Sequence, residues 1–229
     1  YDYYYYAEKV KKEKFDLEES EIRPYFVLDN VMKGMFDVTE RLYGVKFVKM
    51  PDAPKYIDDM TVYDVVDAKT GEHVAVYMCD PYPRDTKRQG AWMEQMQSAG
   101  LYSDGKYRRP IVYNVCNFTR PAGDTPSLLT IDEVETLFHE FGHALQGMLS
   151  TAPYKSLAGT NVDRDYVEMS SQMNEHWALL PEVLKTYARH YKTGEVIPDE
   201  LVKKINEAGK FNQGFATTEL AGAALLDMA

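Results

Sequence analysis

Apolar positions recur along the chain with two spacings, and the change from one to the other predicts the elements. Between Tyr25 and Tyr43, Phe26, Val27, Val31, Met35, Phe36, Val38 and Leu42 keep the helical spacing, and Gly44 supplies the stop. Val45–Met50 reads as a short strand, broken by Pro51 and Pro54. Thr61–Val66 and His73–Met78 are rich in β-branched and aromatic residues. They flank the turn-forming run Ala68–Gly71, which predicts a β-hairpin. Ala91–Gln97 predicts a short turn or helix. Ile111–Phe118 (IVYNVCNF) predicts a strand, stopped by Pro121. Helical spacing then returns over Thr130–Ser150, Glu168–Leu180, Pro181–Lys192 (ending near Gly194), Pro198–Gly209 and Phe211–Ala229. Glu8–Glu19 is charged and helical in character. The pattern predicts an α+β fold, mostly helical. Its parts are a helical lead-in over 1–59, a small β-sheet over 60–121 and a helical part over 122–229.

The segment Thr130–Ser150, TIDEVETLFHEFGHALQGMLS, carries the candidate chemistry. At about 100° per residue, with His139 at zero, His143 falls near 40° and Glu140 near 100°. Val134, Leu137, Phe138, Phe141, Leu145, Met148 and Leu149 fall between about 160° and 280°. One face is built for a core while the opposite face presents two imidazoles and a carboxylate. Residues four apart lie above one another on a helix, so His139 and His143 are placed to grip one ion. Glu140 stands beside them as the candidate catalytic base. This H-E-x-x-H arrangement is the metalloprotease pattern, two imidazoles for zinc and a carboxylate for a water. Thr130 and Glu133 form a T-x-x-E capping box at the helix start. Gly142 inside the helix costs roughly 1 kcal/mol relative to Ala and would permit close approach of another backbone.

A catalytic zinc takes three protein ligands and leaves one position for water. The third ligand must lie outside this helix. Glu168 is the best candidate by position, after a loop with Pro153 and Gly159, although other acids compete. From Glu168 onwards, Met169, Met173, Trp177 and Leu180 make one stripe of a second amphipathic helix, with Glu168, Gln172 and Glu175 on another face. Ligating imidazoles give their second N–H to an acceptor, and Glu135 and Glu175 are the acids suggested for that task. Of the remaining histidines, His73 reads as a solvent-facing strand residue of the hairpin, and His176 and His190, with no partner at a ligand interval, read as structural.

HEFGHALQ followed by RDYVEMSSQMNEHW resembles the thimet oligopeptidase family of zinc peptidases, most of all its bacterial peptidyl-dipeptidase branch. YAEKVKKEKFDLEESEIRPYF, GAWM, PIVYNVCNF, GTNVDRD, YARHY and FATTELAGAALLDMA extend the resemblance along nearly the whole chain. Ser170 and Gln146 depart from it, where the family often has Pro and His. The resemblance implies a zincin-like catalytic region with its small sheet beside the H-E-x-x-H helix. It implies one zinc ion, Glu140 as base and Glu168 as third ligand. It implies release of C-terminal dipeptides from oligopeptides; the alternatives are an oligopeptidase cutting internally and a non-catalytic peptide-binding domain with a relict metal site. The Tyr1–Tyr6 run would begin a helix that packs on a domain outside this chain. Full members are longer, so N- and C-terminal parts of the parent chain are expected to be missing. Oxyanion donors would lie in the later part, and the piece alone is expected to be a weak or inactive peptidase. In such enzymes an extended peptide adds to a sheet edge, and the sheet formed by Ile111–Phe118 is the expected dock.

Composition narrows the partners. The 229 residues are 45% hydrophobic and 27% charged, which is a globular composition. A net charge of −10 argues against nucleic acid. No apolar run approaches the roughly 20 residues of a membrane span. Cys79 and Cys116 make no disulfide framework, which suits a reducing, cytoplasmic setting. Oligopeptides are the partners that the resemblance implies.

Overall fold

The computed structural model describes residues 2–229. The chain begins with helices α1 (Asp2–Phe15) and α2 (Glu19–Ile22) and, after a short 3-10 turn, enters α3 (Leu28–Tyr43). The strands are β1 (Val45–Lys49), β2 (Thr61–Asp67), β3 (His73–Asp80), β4 (Trp92–Gln97), β5 (Gly100–Leu101), β6 (Tyr107–Arg108) and β7 (Ile111–Val115). Five helices follow: α4 (Ile131–Met148), α5 (Met169–Ala178), α6 (Pro181–Tyr187), α7 (Asp199–Ala208) and α8 (Gln213–Asp227). The fold is α+β, as the apolar pattern predicts. The described residues form two compact units. One is the chain up to Ile22 with Ile197–Ala229, and the other is Arg23–Val196.

In the larger unit, five strands pair in the order β1-β2-β3-β7-β4. The hairpin β2–β3 is antiparallel and carries a bulge between Val65 and Val66. β7 joins β3 in parallel, with Tyr77 opposite Val112 and Cys79 opposite Asn114. Alternate residues of β3 and β7 turn to one face, so Ala75, Tyr77, Cys79, Val112 and Asn114 are buried together. Helix α4 packs on that face with Phe141 against Tyr77, and its Val134, Leu137, Phe138 and Ala144 are also fully buried. Phe36, Phe47, Tyr63, Tyr77 and Phe141 form one aromatic cluster that locks α3, the sheet and α4 together. Helix α3 ends where Gly44 takes the left-handed conformation (φ 67°) and its N–H returns to the Glu40 carbonyl.

Several elements differ from the sequence expectation. Residues 92–97 form a strand, not a turn or helix. Backbone pairing to β7 decides this, because a β preference is largely set by the neighbour a strand finds. As a result β7 is an interior strand, and the edges of the sheet are β1 and β4. A peptide cannot add to Ile111–Phe118 along its length, because β3 and β4 occupy both sides. Helix α6 stops at Tyr187 rather than near Gly194. There the chain folds into a turn closed by an Arg189–Val196 bridge, with Gly194 at φ 72°. In the smaller unit, the helical reading of Glu8–Glu19 resolves into two helices parted at Asp16, whose φ is 47°.

Candidate metal centre

Helix α4 begins as its sequence predicts. The Thr130 hydroxyl accepts from the Glu133 N–H at 3.0 Å, and the Glu133 carboxylate accepts from the Thr130 N–H at 2.8 Å. Two turns later His139 and His143 stand one above the other, with ring centroids 5.0 Å apart and planes at 85°. Both point Nε2 at one oxygen, Glu168 Oε2, which lies 3.2 Å from His139 and 3.0 Å from His143. The three ligand atoms lie within 4.8 Å of one another. Ligands about 2.0–2.1 Å from a tetrahedral ion are spaced about 3.3 Å apart. The Glu168 oxygen therefore stands from each imidazole nitrogen at the spacing that two ligands of one small divalent cation keep.

Glu168 reaches this point because of how α5 meets α4. It is the N-cap residue of α5, placed at the helix mouth rather than inside the helix. Its Oε2 accepts a hydrogen bond from the Ser171 hydroxyl at 2.8 Å. The two helices approach closely at Gly142. A Cβ there would lie 2.6 Å from the Ser170 carbonyl oxygen and 2.7 Å from Ser171 Cα. The glycine that costs helix propensity is thus the one that lets α5 bring Glu168 over the imidazoles.

The second nitrogens of the two rings differ. His139 Nδ1 lies 2.5 Å from Glu175 Oε1. With its proton on Nδ1, the ring keeps the Nε2 lone pair free for a cation. His143 Nδ1 is buried and has no hydrogen-bond partner among the described residues. Glu135 lies along the same cleft, a cavity of about 410 Å³ lined also by Asp132, Thr136, His139, Glu140 and Glu175.

Glu140 is buried against β4. Burial raises its pKa above the usual carboxylate range and Glu168 adds to the rise, while His139 and the Met93 backbone N–H pull it down. Burial lowers the pKa of His143, partly offset by Glu168, which favours the neutral ring that a cation requires. Burial pushes Glu168 up, but the Ser171 hydroxyl and the two histidines outweigh it, so Glu168 titrates below its ordinary value.

The other histidines lie elsewhere. His73 pairs with Asp64 on the hairpin at 2.6 Å, His176 bonds the Gln172 carbonyl, and His190 accepts N–H bonds from Lys192 and Thr193. Sequence reasoning missed Ser171 and two buried asparagines, Asn114 and Asn174, that bond the α4 backbone. An Asn in the middle of an apolar strand run was the available signal for Asn114. No described helix is long and apolar enough to cross a membrane.

Comparison with known proteins agrees with this geometry. The sequence model of peptidase family M3 matches residues 1–229. The chain is 45% identical over 229 residues to dipeptidyl carboxypeptidase of Escherichia coli, covering all of this chain and 33% of that relative. It is 39% identical over 234 residues to a probable cytosolic oligopeptidase A of Arabidopsis thaliana, covering 96% of this chain and 33% of the relative. It is 36% identical over 212 residues to oligopeptidase A of Escherichia coli, covering 92% of this chain and 31% of the relative. The chain thus spans about a third of the length of these relatives.

Proposed function

The chain belongs to peptidase family M3, and from that premise we propose that it forms part of the zincin-like catalytic region of a zinc-dependent peptidase that releases C-terminal dipeptides from oligopeptides in the cytoplasm. The observation that carries the reading is the convergence of His139, His143 and Glu168 on one point, with Glu140 alongside. Zinc is favoured by two imidazoles and one carboxylate with a position left open. Bound there, it would lower the pKa of a water towards about 7 and polarise the scissile carbonyl.

This chain's own residues supply the rest. Glu140 takes a proton from the attacking water and passes it to the leaving amide nitrogen. Glu175 holds the His139 ring in the tautomer that offers Nε2. Ser171 holds the Glu168 carboxylate facing both rings. β4 is an edge strand beside Glu140, the kind of edge to which an extended peptide adds.

The similarity to dipeptidyl carboxypeptidase favours the dipeptide-releasing reading. The similarity to oligopeptidase A keeps an internally cutting enzyme as the second reading. Two measurements decide. Elemental analysis of the chain is expected to give one zinc per molecule, and a metal-free chain after zinc dialysis would end the reading. Product analysis of the full-length parent on N-blocked peptides is expected to give C-terminal dipeptides, and internal fragments would favour the second reading. The 229-residue chain alone is expected to hydrolyse these peptides weakly or not at all.

A further inference from the structure

Two buried asparagines hold the backbone carbonyls on either side of His139. Asn114, fully buried in the middle of β7, donates from Nδ2 to the Glu140 carbonyl at 2.7 Å. Asn174 on α5, also buried, donates from Nδ2 to the Phe138 carbonyl at 2.7 Å. Both carbonyls lie inside α4 and face the N–H groups four residues on. The amides use their second lone pairs, so neither bond is needed to complete the helix. Asn114 is satisfied at its other end as well, because the Tyr77 hydroxyl donates to Oδ1 at 2.9 Å. Burial pushes the Tyr77 phenol well above its ordinary pKa, so it keeps its proton and stays a donor.

Stability gives little reason for this arrangement. Val112, Val115 and Phe141 around it are buried and apolar. A Leu and a Phe in place of Asn114 and Tyr77 would fill the same space without removing an amide and a hydroxyl from water. Once the desolvation of its groups is counted, a satisfied buried hydrogen bond leaves only a small net gain. What the amides add is direction. Apolar ridges accept packing angles scattered by about 15–20°, whereas a hydrogen bond weakens steeply as its angle closes towards about 120°. A roll of about 10° would move an atom roughly 6 Å from the helix axis by about 1 Å, beyond the roughly 0.5 Å tolerance of a preorganised site.

Resting on the metal-centre reading above, we propose that Asn114 and Asn174 are positioning residues for that centre. Gripping α4 from the sheet on one side and from α5 on the other, they set its roll so that both imidazoles converge on Glu168 Oε2. Neither residue touches the cation or the substrate.

The test measures zinc affinity of the 229-residue chain by competition with a chelator of known affinity, with urea unfolding in parallel. The double variant Tyr77→Phe/Asn114→Leu removes the amide and the hydroxyl together, so neither is left unpaired. It is expected to unfold at the same or higher urea, yet to bind zinc at least about tenfold more weakly. Asn174→Leu reads the opposite grip and is expected to give a similar loss; it decides the question if the double variant does not fold. Folded variants that bind zinc as the wild type does would overturn the inference and leave the metal-centre reading intact. A wild-type chain that takes up no zinc would remove that reading, and the inference with it.

Discussion

The Ser171 hydroxyl donates to Glu168 Oε2 at 2.8 Å, and that oxygen is the one both imidazoles face. Ser171 is fully buried beneath the α4–α5 contact. The bond helps to orient a carboxylate whose side chain is half exposed. Ser171→Ala removes one oxygen and leaves the packing nearly unchanged. Zinc affinity of the variant, measured by chelator competition, should fall about tenfold. Equal affinity would show that Glu168 needs no orienting donor.

Glu140→Gln keeps the shape of the side chain and removes its capacity to carry a proton. The two imidazoles and Glu168 are untouched, so the full-length parent should retain its metal. Its peptide hydrolysis should fall by about 10² to 10⁴. Measured kcat with metal content on the same sample checks both halves. Turnover at the parent's rate would end the general-base assignment.

Gly142→Ala sets two effects against each other. Alanine favours the helix by roughly 1 kcal/mol. Its Cβ would lie 2.6 Å from the Ser170 carbonyl oxygen and 2.9 Å from Asn174 Cβ, and backbone cannot move aside as a flexible side chain can. Overpacking of this kind costs about 1–3 kcal/mol. The variant should be destabilised in urea, by about 1 kcal/mol net, and should bind zinc more weakly because α5 carries Glu168. A more stable variant with unchanged zinc affinity would contradict the close approach.

How much of this was legible beforehand follows from how local each feature is. Helix α4 could be read directly, because its capping box, apolar arc and polar trio all lie within one stretch of chain. Glu168 was nominated by its position after the loop, but its placement at the N-cap of α5 depends on Gly142 meeting Ser170 and Ser171, which no short window contains. Trp92–Gln97 becomes a strand by pairing with β7, a segment still to come in the chain, so its own residues do not announce β4. Asn114 and Tyr77 belong to different strands, and their bond exists only once β3 and β7 run side by side in parallel.

Cys79 and Cys116 are both buried and free. Burial raises the Cys79 thiol to about 12 and lifts Cys116 well above its ordinary value. The thiolate is the reactive form, so raising the pKa lowers reactivity at any pH below it. At pH 8 a thiol with a pKa near 12 is ionised to about one part in 10⁴. Neither cysteine should react with a thiol reagent in the native chain at pH 8, while both should react in guanidinium. Rapid native labelling at either position would place it nearer the surface than the fold does.

The loop after β3 is tied down by an ion cluster that carries its own prediction. Asp80 and the side chain of Lys87 are almost fully buried and lie 2.9 Å apart. Lys87 also donates to the carbonyls of Asp80, Tyr82 and Cys116, so one ammonium joins the end of β3 to the residue after β7. Arg84 and Tyr56 complete the shell of Asp80. Lys87→Met would leave a buried carboxylate with less compensation and the carbonyls without their donor. Breaking one partner of a buried pair costs about 3–5 kcal/mol, and the surviving Arg84 contact should hold the loss near about 3 kcal/mol. Arg84→Ala should cost less, about 1 kcal/mol, because that side chain is partly exposed and screened by water. The double variant Asp80→Asn/Lys87→Met should recover part of the loss, since it removes the orphaned charge. Urea unfolding of the three variants checks the ordering. A Lys87→Met variant no less stable than Arg84→Ala would show that the β3 and β7 ends are held by their ladder alone.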